Sequence, residues 1–567
     1  MKKNRSGLID LSLGVWIMTL MLMVPSLDAA RGNSATTEAI PLVETTPAPP
    51  ASLNTPQKIE SARIAGRIDQ DQAAIYLAYA LRDFQKLPAE YRSEVPWDGT
   101  LPLLQLHQSL KTSTLRSQTV ALVEALLSNT CDVNTAPLPN TTSSSHYYIE
   151  YDGIGGGLSL NSYINSLETV WTSEVTSFGW AAPPVKTSNP PPGNKYHVRI
   201  EPLGSSLYGF VSSQGTFAGF VGDNPNTSWN DGDAYASCMV LNSDYSSFPG
   251  TPQTALDATT AHEFNHSIQY GIGALSGFNT PDPDFVEGGA TWMEDEVFDN
   301  ANDNYNYLWP QFNVCMGQYL LSPYPYWITF RGMVERYGTG IPGGSEDVMQ
   351  TFWELTSQNA ASNLDAMNQA LITRGTSLAA AYHHYAIAVR FNKPCGGSVA
   401  YPYCLEEGPY YPPLPIFAAS SVNHGNINSI NGSFAGSLQD NFALNWIGLP
   451  NSGNSYNVTL SNEGSGGQLR GSLVCDTGTT LAVHPLPEVA GAGKATTLYN
   501  FNPNGCSSVV LVLTNQAQTA ANPGICIARN YQVLVEPRTT PTITATPTTT
   551  PAPPVNFVYY PFVQMNP

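Results

Sequence analysis

Charge is what this chain has least of. Only 12% of its 567 residues are Asp, Glu, Lys or Arg, and the 24 basic groups face 44 acidic ones. The resulting net charge of −20 repels phosphate backbones and argues against a nucleic-acid partner. None of the eight cysteines stands in a CxxC pair, which argues against a zinc site built on thiolates. Past the N-terminus no apolar run approaches the ~18 residues that a membrane-spanning helix needs. No repeat at a solenoid or propeller period is found either. What the chain does have is 42% hydrophobic residues together with 47 Gly and 45 Pro. That mixture is too apolar for a disordered chain and too loop-rich for a helical bundle.

The N-terminus reads as an export signal over residues 1–30. Lys2, Lys3 and Arg5 precede an apolar stretch from Leu11 to Val24, and small residues follow at Ala29 and Ala30. An exported chain with an even number of cysteines favours disulfides. Cys395 and Cys404, bracketing GGSVAYPY, are the best local pair. Cys475, Cys506 and Cys526 fall together, and at least one bridge is expected among them.

Residues 31–57 form a low-complexity leader. Over 58–131 the pattern is helical: Ala74, Leu77, Ala78, Leu81 and Phe84 recur at helical spacing behind Asp69, a suitable N-cap. A second stretch carries Leu103, Leu106, Leu110, Val120, Val123 and Leu127. These helices are too small for a core of their own, so they pack on something else or serve as a pro-segment. In the next region, 132–405, HYYIEYD, KYHVRIEPL and SCMVLNSDY read as strands, residues 160–180 as a helix, and 327–391 as mainly helical. A Pro-rich linker (406–417) leads to short alternating runs over 418–536, the spacing of an antiparallel β-sandwich. A Thr/Pro-rich stalk (537–554) and a short tail (555–567) close the chain, suited to cell-surface or envelope attachment. The fold class expected is multidomain α+β, and the location extracellular or cell-surface.

The sharpest chemical signal is HEFNH, His262 to His266. On a helix, positions i and i+4 share a face, so both imidazoles can converge on one zinc ion. Glu263, beside the first histidine, is placed to take a proton from a zinc-activated water. A third ligand is needed, and Glu287 follows His266 by 21 positions in DFVEGGATWMEDEVF. Glu294 lies two turns further on the same face; it could orient a histidine, or be the ligand itself. Glu287 is preferred because the Gly-Gly-Ala after it permits a close helix approach.

HEFNH followed by VEGGATWMED resembles the HExxH-plus-EGxA arrangement of gluzincin-type zinc metallopeptidases, as found in exported bacterial proteins. The likeness covers roughly residues 140–395. It implies a zincin-like metallopeptidase domain between the helical N-terminal segment and the C-terminal sandwich. It also implies His262, His266 and Glu287 as zinc ligands, Glu263 as general base, and hydrolysis of protein or peptide substrates. The metzincin pattern fails, because Gln269 and Ile272 stand where Gly and His would be. No GxMEN segment is present, which makes an endopeptidase the default and leaves exopeptidase action by another mechanism open.

An oxyanion donor is required too, and Tyr324, Tyr326, His383, His384 and Tyr385 are the candidates, with Tyr324 first. Calcium is the second cation to consider: Asp282, Asp284, Asp295, Asp299 and Asp303 crowd around the third ligand. They lack EF-hand spacing, and a solvated acidic loop is the other reading. Asn265-His266-Ser267 fits a glycosylation sequon, but it lies within the proposed zinc helix. A rival function is a surface adhesin, or a glycan- or protein-binding protein, on a catalytically silent scaffold. Against it, such a scaffold has no chemical need of Glu263. Cleavage preference and oligomeric state are not encoded in any local motif.

Overall fold

The computed structural model describes residues 53–538 except 113–114, 129, 132–136, 188, 205, 214–218, 276–281, 309–314, 317–322, 339–346, 359–361, 412–422, 452 and 519–525. The signal, most of the leader, part of the Pro-rich linker, nearly all of the stalk and the tail lie outside the described residues. The architecture is mixed α+β, with helices on both sides of one sheet and two further sheets stacked at the C-terminal end.

Four helices open the chain: α1 Thr55–Ile64, α2 Gln70–Arg82, α3 Thr100–Thr112 and α4 Ser117–Leu127. Asp69 does cap α2, accepting from Gln72 N at 2.8 Å. These helices share a core with Phe210, Cys238 and Val240 of the sheet that follows, and with Leu207 just ahead of one of its strands. They are therefore the cover of one sheet face, which is what their own shortage of apolar surface required.

That sheet consists of β1 Asn140–Ser143, β2 Tyr147–Tyr151, β3 Tyr196–Glu201, β4 Gly209–Ser212 and a strand Cys238–Asn242, which becomes β7 after the small ribbon β5 Phe220–Gly222 and β6 Ala234–Tyr235. Its order is β1-β2-β3-β7-β4; β2, β3 and β7 run parallel, and β1 and β4 are antiparallel edges. β3 and β7 are buried almost throughout, as expected of strands covered on both faces. Helix α5, Leu160–Val170, lies between β2 and β3 and continues as a wide π-type segment, Trp171–Ser177, that carries Glu174 into the interior. On the sheet's other face lies α6 Pro252–Gly271, followed by α7 Pro283–Val297, α8 Trp327–Tyr337, α9 Asp347–Ser357, α10 Asn363–Ile372 and α11 Leu378–Phe391.

The C-terminal region is a sandwich of ten strands: β8 Gly425–Asn426, β9 Ser433–Gln439, β10 Ala443–Leu449, β11 Tyr456–Asn462, β12 Gln468–Asp476, β13 Leu481–Pro485, β14 Val489–Ala490, β15 Lys494–Phe501, β16 Ser508–Asn515 and β17 Ala528–Pro537. One sheet has the order β13-β12-β16-β10-β8, with β14 beside β12, and the other β15-β11-β17-β9. The expected simple alternation fails in β16, where Val509 to Leu513 are all buried. Leu511 and Leu513 face the other sheet, whereas Val510 and Val512 join Leu444, Trp446 and Val474 in the core that includes α11. The sheet is covered on both sides, so both sets of side chains are apolar. Trp446 Nε1 donates to Ala386 O at 3.0 Å across this junction.

His383 sits in the same junction, not near HEFNH. Its ring nitrogens lie 2.9 Å from Thr514 Oγ1 and 2.8 Å from Ser472 Oγ. Burial, with Arg470 and His384 nearby, drives its pKa down to about 3 from the ordinary 6.5. Between those values the unfolded chain takes up a proton that the folded chain refuses, so stability falls as pH drops. From pH 7.5 to 4.5 the parent should lose about 2–3 kcal/mol more than His383→Gln does. Urea unfolding at the two pH values measures this; equal losses would remove His383 from the account.

All eight cysteines are paired: Cys131–Cys238, Cys315–Cys526, Cys395–Cys404 and Cys475–Cys506. The expected local pair forms, and Cys475–Cys506 staples the sandwich. Such bonding is typical of extracellular proteins. No helix among the described residues is long and apolar enough to cross a membrane.

Candidate metal centre

Helix α6 begins with Pro252 behind a capping box made by Thr251 and Thr254, and it is buried along nearly its whole length. Gly209 of β4 brings the sheet close: a Cβ there would stand 2.8 Å from Val240 O and 3.5 Å from Glu263 Cγ. Gly288 does the same for α7, since a Cβ would meet Tyr326 Cβ at 2.9 Å and Phe330 at 3.1 Å. Gly209 thus seats α6 against the sheet, and Gly288 seats α7 against the segment that opens α8.

The result is a three-pointed cluster. His262 Nε2 lies 3.1 Å from His266 Nε2 and 3.1 Å from Glu287 Oε2, and His266 Nε2 lies 3.5 Å from that oxygen. Ligands held 2.0–2.1 Å from a tetrahedral zinc are ~3.3 Å apart, so these spacings fit that ion. The outer nitrogens are held as well: His262 Nδ1 is 2.7 Å from Glu294 Oε1, and His266 Nδ1 is 2.9 Å from Gln269 Oε1. When both Nδ1–H groups donate outward, both Nε2 lone pairs point at the same centre.

Electrostatics supports the same conclusion. His262, Glu263, His266, Glu287, Glu294 and Asp98 are all buried. Burial pushes Glu294 up to about 8 and Asp98 well above the carboxylate range. It also raises Glu263, while at Glu287 the two imidazoles overcome burial and hold the acid at about 2. At His262 burial disfavours the charge, yet Asp98, Glu287 and Glu294 outweigh it and raise the pKa well above 6.5. Four buried carboxyl groups against two imidazoles is a site that a divalent cation would neutralise. Glu263 Oε1 and Glu287 Oε1 are moreover buried without a hydrogen-bond partner.

The other expected residues scatter. Tyr324 is at the site, its ring centroid 6.1 Å from that of His262. Tyr326 instead donates to Cys315 O at 2.7 Å, and Tyr337 Oη lies 2.6 Å from His384 Nδ1. Tyr385 packs against Gly332, a site on α8 away from HEFNH. The five aspartates do not gather: Asp295 pairs with Arg331 at 3.3 Å, Asp303 accepts from Tyr208, and Asp282 accepts from Asn363. Asp284, Asp295 and Asp303 are buried, so a solvated acidic loop is wrong too. Among the described residues, the two groups able to hold a metal are His262, His266 and Glu287, and Asp98, His262 and Glu263. Asn265 is buried, its amide turned toward Glu174, which leaves no place for a glycan.

Two site residues escaped the sequence reading. Gln269 served there only to exclude another pattern, although its position three residues after His266 on one helix was the available signal. Asp98 had no local signal at all.

No family model, curated protein or solved structure matches this chain. Its chemistry has to be read from these side chains.

Proposed function

We propose that the chain is an exported, zinc-dependent endopeptidase with a gluzincin-type centre in a zincin-like domain. The observation that carries this is the convergence of His262 Nε2, His266 Nε2 and Glu287 Oε2 beside an unpartnered Glu263 oxygen. When bound there, zinc supplies a Lewis acid that polarises a carbonyl and acidifies water. Glu263 takes a proton from the attacking water as the new C–O bond forms. It then gives that proton to the leaving nitrogen as the C–N bond breaks. In this reading Tyr324, whose ring stands beside that of His262, donates a hydrogen bond from Oη to the oxygen that becomes negative. Glu294 and Gln269 keep the two imidazoles in the ligating tautomer. Export is supported by the N-terminal signal pattern and the four disulfides.

Closure of the site is the one observation that favours a silent, binding-only scaffold: every group in it is buried. The test uses a mixed quenched-peptide library with the full chain and with chain trimmed ahead of Cys131. Cleavage that a chelator abolishes and one equivalent of zinc restores is the expected result. A trimmed chain that holds one zinc and cleaves nothing would sink the peptidase reading in favour of the binding protein.

A further inference from the structure

The helical N-terminal segment reaches the metal centre. Between α2 and α3, residues 97–99 run beside the segment leading into β4, with a parallel bridge between Trp97 and Leu207. Trp97 N donates to Ser206 O at 2.9 Å, Tyr208 N to Trp97 O at 3.1 Å, and Gly99 N to Gly209 O at 2.9 Å. This is an added strand on the edge of the sheet, the mode by which extended peptides are held. Gly99 makes the approach feasible, because a Cβ there would stand 2.9 Å from both Leu81 Cδ2 and Phe210 Cβ. Trp97 anchors the strand, buried in the core shared by the N-terminal helices and the sheet.

From this strand three groups meet the three working parts of the site. A ligand oxygen of Asp98 lies within 4.8 Å of ligand atoms of His262 and Glu263. Thr100 Oγ1 accepts from Val211 N at 2.7 Å, which directs its own proton to Glu263 Oε2, also at 2.7 Å. Asp98 N donates to Tyr324 Oη at 3.3 Å.

We infer that Trp97–Thr100 is a built-in plug, with the Asp98 carboxyl set beside His262 and Glu263 at the mouth of the cation site formed by His262, His266 and Glu287, and that the full chain stays latent while the plug is seated. This rests on the metallopeptidase reading and adds its regulation. A purely structural strand explains Trp97, but it has no need of a carboxylate buried beside Glu263, Glu287 and Glu294. Seated on the sheet edge, the plug occupies the backbone groups that an extended substrate would use, and it ties up the proton acceptor. The Cys131–Cys238 bond joins the end of the helical segment to β7, so a cut beyond Cys131 leaves the plug attached. Cleavage between Thr100 and Cys131, or a cut beyond Cys131 together with reduction of that bond, lets it diffuse away.

The experiment titrates cobalt-loaded full chain with acetohydroxamate, a bidentate metal probe, and follows the visible absorption of the cobalt. Parent, Asp98→Ala and Gly99→Val are compared at one cobalt per chain. A plug seated ~99% of the time lowers the parent's apparent affinity about 100-fold, so both variants should bind the probe at least about tenfold more tightly. Gly99→Val keeps every ligand and acts only by wedging the strand outward, so it decides the matter alone where Asp98→Ala does not fold. Equal probe affinity in parent and variants overturns the plug and leaves the peptidase reading standing. Cobalt binding that His262→Ala does not weaken overturns the metal centre, and the plug with it. Tight probe binding by the variants without peptide cleavage upholds the plug and removes the peptidase.

Discussion

His262→Ala will bind zinc about 10²–10³-fold more weakly than the parent, and metal analysis after dialysis will find far less than one zinc per chain. Structural zinc sites hold their ion with about 10–16 kcal/mol shared among four ligands, so one ligand carries roughly 3–4 kcal/mol. His262 is the ligand with most to lose. It contacts Glu287 through Nε2 and Glu294 through Nδ1, and it belongs to both metal-holding groups. Removing it also leaves Glu287 and Glu294 facing one another with one imidazole between four carboxyl groups. Glu294→Gln keeps the ligand and loses only its orientation, so its loss should be smaller, about 10–100-fold. Competition against a fluorescent zinc chelator measures both. Stability should follow: a parent held at 100 times its zinc dissociation constant gains about 2.7 kcal/mol over the metal-free chain. Parent-like zinc affinity in His262→Ala would dismiss the cluster as a metal centre.

Glu263→Gln should leave zinc content unchanged and lower peptide turnover about 10²–10⁴-fold in chain trimmed ahead of Cys131. Glu263 belongs with Asp98 and His262 in the second metal-holding group, but it is not one of the three converging ligands, and its Oε1 has no partner. Gln preserves the size of the side chain and can still accept from Thr100, so folding and metal binding are spared. What it cannot do is take up a proton at neutral pH and hand it to the leaving amine. Unchanged turnover at equal zinc would show that another group is the base, and would take Glu263 out of the mechanism.

The parts legible in the sequence were those with a short-range period. Asp69 capping α2, the strands at 147–151, 196–201 and 238–242, and the ligand pair one helical turn apart all follow from spacing within a few residues. Glu294 was legible because seven residues on a helix return to the same face. The local bridge Cys395–Cys404 was legible because a nine-residue separation leaves few other partners. The expectation failed where the decisive neighbour is distant in sequence. His383, an oxyanion-donor candidate by sequence, lies against β12 and β16, and β16 is apolar on both faces because α11 covers one of them.

What the sequence by itself determined is which groups are available: two histidines and a glutamate with metal-ligand spacing, a carboxylate beside the first histidine, and an even number of thiols able to pair. Only the tertiary structure decided what surrounds that chemistry. Asp98 and Thr100 meet Glu263 across more than 160 positions of chain, through the Thr100–Glu263 hydrogen bond and a strand laid on the sheet edge. Asp282, Asp295 and Asp303, which flank Glu287 in sequence, are sent to separate partners in the same way. The physical reason is that periodicity reports which side of its own element a residue faces. The element on the other side is chosen by apolar surfaces seeking cover, and that choice belongs to the whole chain.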